Sequence, residues 1–107
     1  MELHRLADLL TQQSAKGKPY LEFLRSSDLS VGLYLLKVGN IDRQGPHRED
    51  EVYVVISGRA SFTAGEETRD AGPGDVIYVA KEVPHRFHDI IEDMQLIVVF
   101  APAESVP

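Results

Sequence analysis

His47, Glu49 and Glu51 recur at every second residue within the stretch Gly39 to Gly58. In an extended chain, residues i, i+2 and i+4 lie on one face. One imidazole and two carboxylates then point the same way. A second stretch, from Gly72 to Asp89, has a Gly72-Pro73-Gly74 turn, the run Val76 to Val79, a corner at Pro84, and then His85. His47, Glu51 and His85 together offer two imidazoles and a carboxylate. That donor set suits one divalent transition metal per chain (Fe, Mn, Zn or Ni), with positions left open for water or substrate. His85 belongs to a separate strand, so only the fold brings it to the others. Each histidine taken singly is as readily a polar residue in or on a barrel. The joint spacing is what points to a metal.

Other side chains near these stretches have two readings each. Tyr53 shares the face of Glu51 and is either a catalytic hydroxyl in the pocket or a core aromatic. Phe87 and Asp89 share the face of His85 and are candidate walls of a substrate pocket, with Asp89 able to orient a ligand. His88 faces the other way, towards the surface or an interface. Arg43, Arg48 and Arg86 either draw an anion to the site or pair with Glu49, Asp50 or Glu82. Gln44 falls out of register with the other donors.

The positioning elements follow from pattern. Leu3, Leu6, Leu9 and Leu10 have helical spacing, and predict an amphipathic helix over 2–13 that also carries His4. Strands are expected at 20–25, 29–38, 52–56, 59–63, 68–70, 76–79, 85–89 and 94–101. Ser57-Gly58 reads as a hairpin turn, residues 90–93 as a second turn, and the tail after Pro102 as loose. Gly32 inside a strand marks a bulge or a close backbone approach. Val52 to Ile56 and Leu96 to Phe100 are apolar at successive positions, so both faces of those strands are covered. The helix or a second subunit would cover the outer face.

The chain has 107 residues, which fits a single domain, 1–107, with helix and linker at 1–19 and a barrel core at 30–101. Short strands between Gly and Pro turns argue for an all-β sandwich or barrel. The net charge of −6 argues against nucleic acid and anionic membrane as partners. No apolar run approaches the ~20 residues of a membrane span. The chain has no cysteine, which excludes thiolate chemistry and agrees with the cytoplasmic location expected here. There is no P-loop, no Gly-x-Ser-x-Gly elbow and no dinucleotide fingerprint.

The two stretches resemble the two motifs of the cupin superfamily. Gly39, His47, Glu51 and Gly58 fall at the places of the first motif, with Gly45 where a first histidine is usual. Gly74 and His85 match the second motif, while Ala80, Glu82 and Asp89 replace its proline, glycine and asparagine. The resemblance spans about residues 30 to 101. It implies a small jelly-roll barrel, on which the short N-terminal helix read from the leucine spacing would lie, binding a small molecule such as an organic acid, and it favours a homodimer. It also implies either a metalloenzyme of oxygenase, isomerase or lyase type or a non-catalytic ligand-binding module. With Gly45 lacking a side chain, Glu49 is a candidate fourth ligand. Two carboxylates would favour Mn²⁺ or Fe²⁺ over Cu²⁺.

Overall fold

The computed structural model describes residues 1–42 and 45–105. Arg43 and Gln44, both named above, lie outside the described residues. The order is α1 (Leu6–Lys16), β1 (Tyr20–Arg25), β2 (Ser30–Leu36), β3 (Asp50–Ala64), β4 (Glu67–Ala71), β5 (Val76–Val79) and β6 (His85–Ala101). All pairings are antiparallel, in the order β1-β2-β6-β3-β4, with β5 on the same edge of β3 as β4.

Two expected turns are absent. β3 runs straight through Ser57-Gly58, and β6 runs through 90–93. Both strands stay paired to each other along their length, so the chain bends instead of reversing. Glu51 pairs with Phe100 at one end of this ladder, and Ala64 pairs with His85 at the other. A flat strand would hold Glu51 and Ala64 about 40 Å apart. Yet His85 Nε2 lies 3.2 Å from Glu51 Oε1. The ladder therefore rolls up on itself into a jelly-roll barrel.

The roll is concentrated between Val55 and Ser61, where the register shifts repeatedly. Extra residues on one strand sharpen bending and twist. Gly58 sits there at φ +93°, and a Cβ on it would lie 2.3 Å from the Asp93 carbonyl oxygen. Only glycine fits both that conformation and that approach.

The barrel interior holds Leu36, Tyr53, Val55, Phe62, Phe87, Leu96, Val98 and Phe100. Gly32 is the close approach expected of it: Tyr20 lies across β2 where a Cβ would stand 2.1 Å from the ring. On the outer face, Leu9 of α1 packs with Leu21 and Leu33, flanked by Ile56 and Ile97. The helix thus covers part of the outer apolar surface of β3 and β6. It starts and ends later than expected, and His4 precedes it, paired with Glu2 and set against Phe23.

Candidate metal and ligand site

Ligand atoms of His47, Glu51 and His85 all lie within 4.8 Å of one another. His47 Nε2 is 3.6 Å from Glu51 Oε1, and His85 Nε2 is 3.2 Å from the same oxygen. Glu51 projects inward from the start of β3 and is 1% exposed. His85 is the first residue of β6.

His47 is not on the strand, because β3 begins only at Asp50. Two bonds hold its segment against the bend that precedes β6. The Glu82 N–H donates to the His47 carbonyl at 2.7 Å, and the Lys81 N–H donates to Asp50 Oδ1 at 2.9 Å. Backbone anchoring thus does what strand alternation was expected to do.

The protonation pattern of His85 is fixed by geometry. Its Nδ1 lies 2.9 Å from the Val83 carbonyl, which can only accept. Nδ1 therefore carries the hydrogen, and in the neutral ring Nε2 is left as a lone pair. That lone pair faces Glu51 and the Tyr53 hydroxyl, the latter at 3.1 Å. Among the described residues, neither oxygen of Glu51 has a hydrogen-bond donor. Two buried acceptors facing each other are unfavourable unless a proton or a metal cation lies between them. Burial opposes charging of His85, but the facing Glu51 carboxylate and the Val83 carbonyl, both of which favour the protonated ring, outweigh this and raise its pKa above the usual value.

A cavity of about 200 Å³ opens beside this group, lined by Tyr20, Tyr34, His47, Val98, Phe100 and Glu104. A larger hollow, about 430 Å³, lies by β4 and β5 and includes none of the three ligand residues. Of the two, the smaller adjoins the candidate ligand group through His47.

The remaining candidates divide. Tyr53 is fully buried, and its hydroxyl reaches His85, so it is both a core aromatic and part of the site. Phe87 is buried behind the site, its ring 5.1 Å from that of Tyr53. Asp89 is a correction: it has φ +49°, which breaks the alternation of β6, and turns outward to His88 with its side chain 80% exposed. Glu49 is another. Because residues 47–49 precede the strand, Glu49 does not join the ligand group; it is buried and accepts from Ser105 Oγ at 2.9 Å. Gly45 is exposed, and a Cβ there would meet nothing within 4 Å. His88 bonds Thr63 and Asp89 away from the site. Arg48 and Arg86 are exposed.

Sequence reasoning missed Asp42 and Glu104. Asp42 is buried, accepts from the Tyr34 hydroxyl at 2.6 Å and from the Phe87 N–H at 2.8 Å, and ties the first loop to β6. Burial and that bond hold the Tyr34 phenol in its protonated form. Glu104 lies in the segment expected to be loose. Its N–H donates to Ser30 Oγ and its carbonyl accepts from Arg25, so its carboxylate sits 3.7 Å from His47 Nδ1. Burial first, then the charges of Glu51, Glu49 and Glu22, push its pKa up. An acid in a loop or tail carries no periodicity that would have flagged either residue.

A rolled antiparallel barrel with two imidazoles and a carboxylate gathered inside one end defines a small barrel of the jelly-roll class that carries a candidate metal-ligand group. The chain belongs to the cupin family: the cupin-domain family model matches residues 32–100. An uncharacterized protein of Streptomyces coelicolor is 49% identical over 98% of this chain and 100% of its own length. Among solved structures, the TT1209 protein of Thermus thermophilus superposes with a TM-score of 0.78 at 25% identity, covering 96% of this chain and 99% of that one. DMSP lyase DddQ from Ruegeria pomeroyi superposes with a TM-score of 0.66 at 23% identity, covering 71% of this chain and 39% of that one. This last likeness is one of fold alone.

Proposed function

We propose that this cupin is a small-molecule metalloenzyme of oxygenase, isomerase or lyase type, holding one divalent metal through His47, Glu51 and His85. The observation that carries the reading is the buried Glu51 carboxylate, without a hydrogen-bond donor among the described residues, facing the acceptor Nε2 of His85. Two nitrogens and one carboxylate oxygen fit Fe²⁺, Mn²⁺, Zn²⁺ or Ni²⁺. Such an ion supplies Lewis acidity or a site for activating bound water or O₂.

The chain's own residues do the rest. Val83 fixes the tautomer of His85. Glu104 faces the second nitrogen of His47, the place where a carboxylate orients a ligating imidazole. Tyr53 holds a proton at its hydroxyl beside His85 and is the group placed to donate it. Phe62, Phe87 and Phe100 keep water out from behind.

The test is metal content by plasma mass spectrometry on untagged protein. Near one metal per chain, lost in His47→Ala, Glu51→Ala and His85→Ala, is expected. Retention in Glu49→Ala is expected too; loss there would restore Glu49 as a ligand. No metal, and no uptake of Fe²⁺, Mn²⁺, Zn²⁺ or Ni²⁺, would leave the non-catalytic ligand-binding barrel.

The homodimer belongs to the same proposal. Val76 and Tyr78 of β5 are 67% and 63% exposed, and they pair beside the half-buried Val54 and Val52 of β3. This apolar strip lies on the outer face of the barrel and suits a second copy. Sedimentation equilibrium on Tyr78→Lys, expected to yield monomer, checks it.

A further inference from the structure

We infer that the cavity beside the metal-ligand group selects a small organic cation, with Glu104 as counter-charge and Tyr20, Tyr34 and Phe100 as walls. The location rests on the metal-site reading; the ligand class does not.

Three of the six lining residues are aromatic. The Tyr20 ring meets Tyr34 at 71° and Phe100 at 82°, with centroids 6.1 and 6.4 Å apart. Rings set so steeply line a hollow from different sides instead of stacking. Aromatic walls of this kind attract alkylammonium and other onium groups through the negative faces of the rings.

The charges agree. Glu104 is the only acid in the lining, and no Lys or Arg lines the cavity among the described residues. The nearby guanidinium of Arg25 is committed to Glu22, at 2.9 and 3.1 Å, and to the Glu104 carbonyl. It cannot turn to a ligand without releasing the segment that carries Glu104. An anionic substrate would enter against Glu104 with no Lys or Arg among the described lining residues to pair with. A divalent ion in the ligand group would be met by Glu51, whereas Glu104 faces the other nitrogen of His47. Against the two positive charges of such an ion, Glu51 and Glu104 supply one negative charge each, so the site is balanced with metal and the Glu104 end of the cavity is negative without it.

The Tyr20 hydroxyl, on one of those walls, is buried and has no hydrogen-bond partner among the described residues. A phenol both donates and accepts, and the hydroxyl of an amino alcohol would satisfy it in either sense. The volume, about 200 Å³, holds a molecule smaller than a drug-sized ligand.

The test is calorimetric titration of the protein as purified with choline, with its uncharged carbon analogue dimethylbutanol, and with butyrate. Choline should bind about tenfold or more tighter than dimethylbutanol, with butyrate weakest. Glu104→Gln should erase most of the advantage of choline, and Tyr20→Ala should weaken choline more than dimethylbutanol. Equal binding of choline and dimethylbutanol, preference for butyrate, or no binding of any of the three overturns the inference. Metal content of the same sample separates the two readings. Metal without choline preference overturns only the ligand class, and choline preference without metal overturns only the metal site.

Discussion

His85 donates its Nδ1 hydrogen to the carbonyl of Val83 at 2.9 Å, and this one bond decides that Nε2 is the nitrogen offered to Glu51. A residue of the bend two positions upstream, between β5 and β6, thus sets the chemistry of the site through its backbone, whatever its side chain.

The raised pKa of His85 has consequences of opposite sign with and without metal. In the metal-free chain the folded state holds the proton more tightly than the unfolded state. Its contribution to stability is complete below the unfolded pKa of about 6.5 and is lost as pH rises through the higher folded value. Metal binding must displace that proton, so affinity should fall with falling pH, starting above the ordinary imidazole range. Thermal melts and metal titrations across pH 5 to about 9, with His85→Gln as control, check both slopes.

Removing the charge of Glu51 separates binding from folding. Glu51→Gln keeps the shape but loses the anionic donor. Wild-type protein should gain about 2.7 kcal/mol of stability at a metal concentration one hundred times Kd. Glu51→Gln should gain almost none. Denaturant unfolding with and without Zn²⁺ measures the difference.

Asp42 should prove a structural hub of the mouth. Asp42→Ala strands the Tyr34 hydroxyl and the buried Phe87 N–H at once. A loss of about 2–4 kcal/mol is expected from two orphaned donors. Asp42→Asn should fall between, since its amide keeps one acceptor oxygen. Urea midpoints of the two variants order them.

Gly58→Ala should be worse than Gly32→Ala. At Gly32 the obstruction is the side chain of Tyr20, which can swing away at a cost of about 1–3 kcal/mol. At Gly58 the obstruction is the backbone of Asp93 and Met94, and the positive φ adds its own penalty. A loss of about 3 kcal/mol or more is expected there, together with loss of metal. Chemical unfolding and metal content of both variants decide the ranking.

The barrel was largely legible in the sequence, and so was the meeting of His47, Glu51 and His85 inside it. β1 and β5 fall at the expected residues, because short β-branched or aromatic runs between turn formers have few other readings. Ser57-Gly58 misled because a glycine at positive φ serves a hairpin and a bulge equally well, and only the partner strand tells them apart. Glu49 and Asp89 misled through the rule of alternation. One precedes the strand, and the other sits on a residue that breaks it. The segment from Pro102 to Ser105 reads as a tail by composition, yet three side chains elsewhere in the chain, Arg25, Ser30 and Glu49, hold it in place.

The roll of the β3–β6 ladder has a consequence for how the chain acquires its site. Glu51 and His85 stand at opposite ends of that ladder, so zipping it up does not bring them together; only the later bend at Gly58 does. Contacts so distant along the chain form slowly. A metal present during refolding would have no assembled site to grip until that last closure. A spectroscopically visible ion such as Co²⁺ would then act as a stopwatch for barrel closure, its colour appearing after the backbone signal of the strands has already developed.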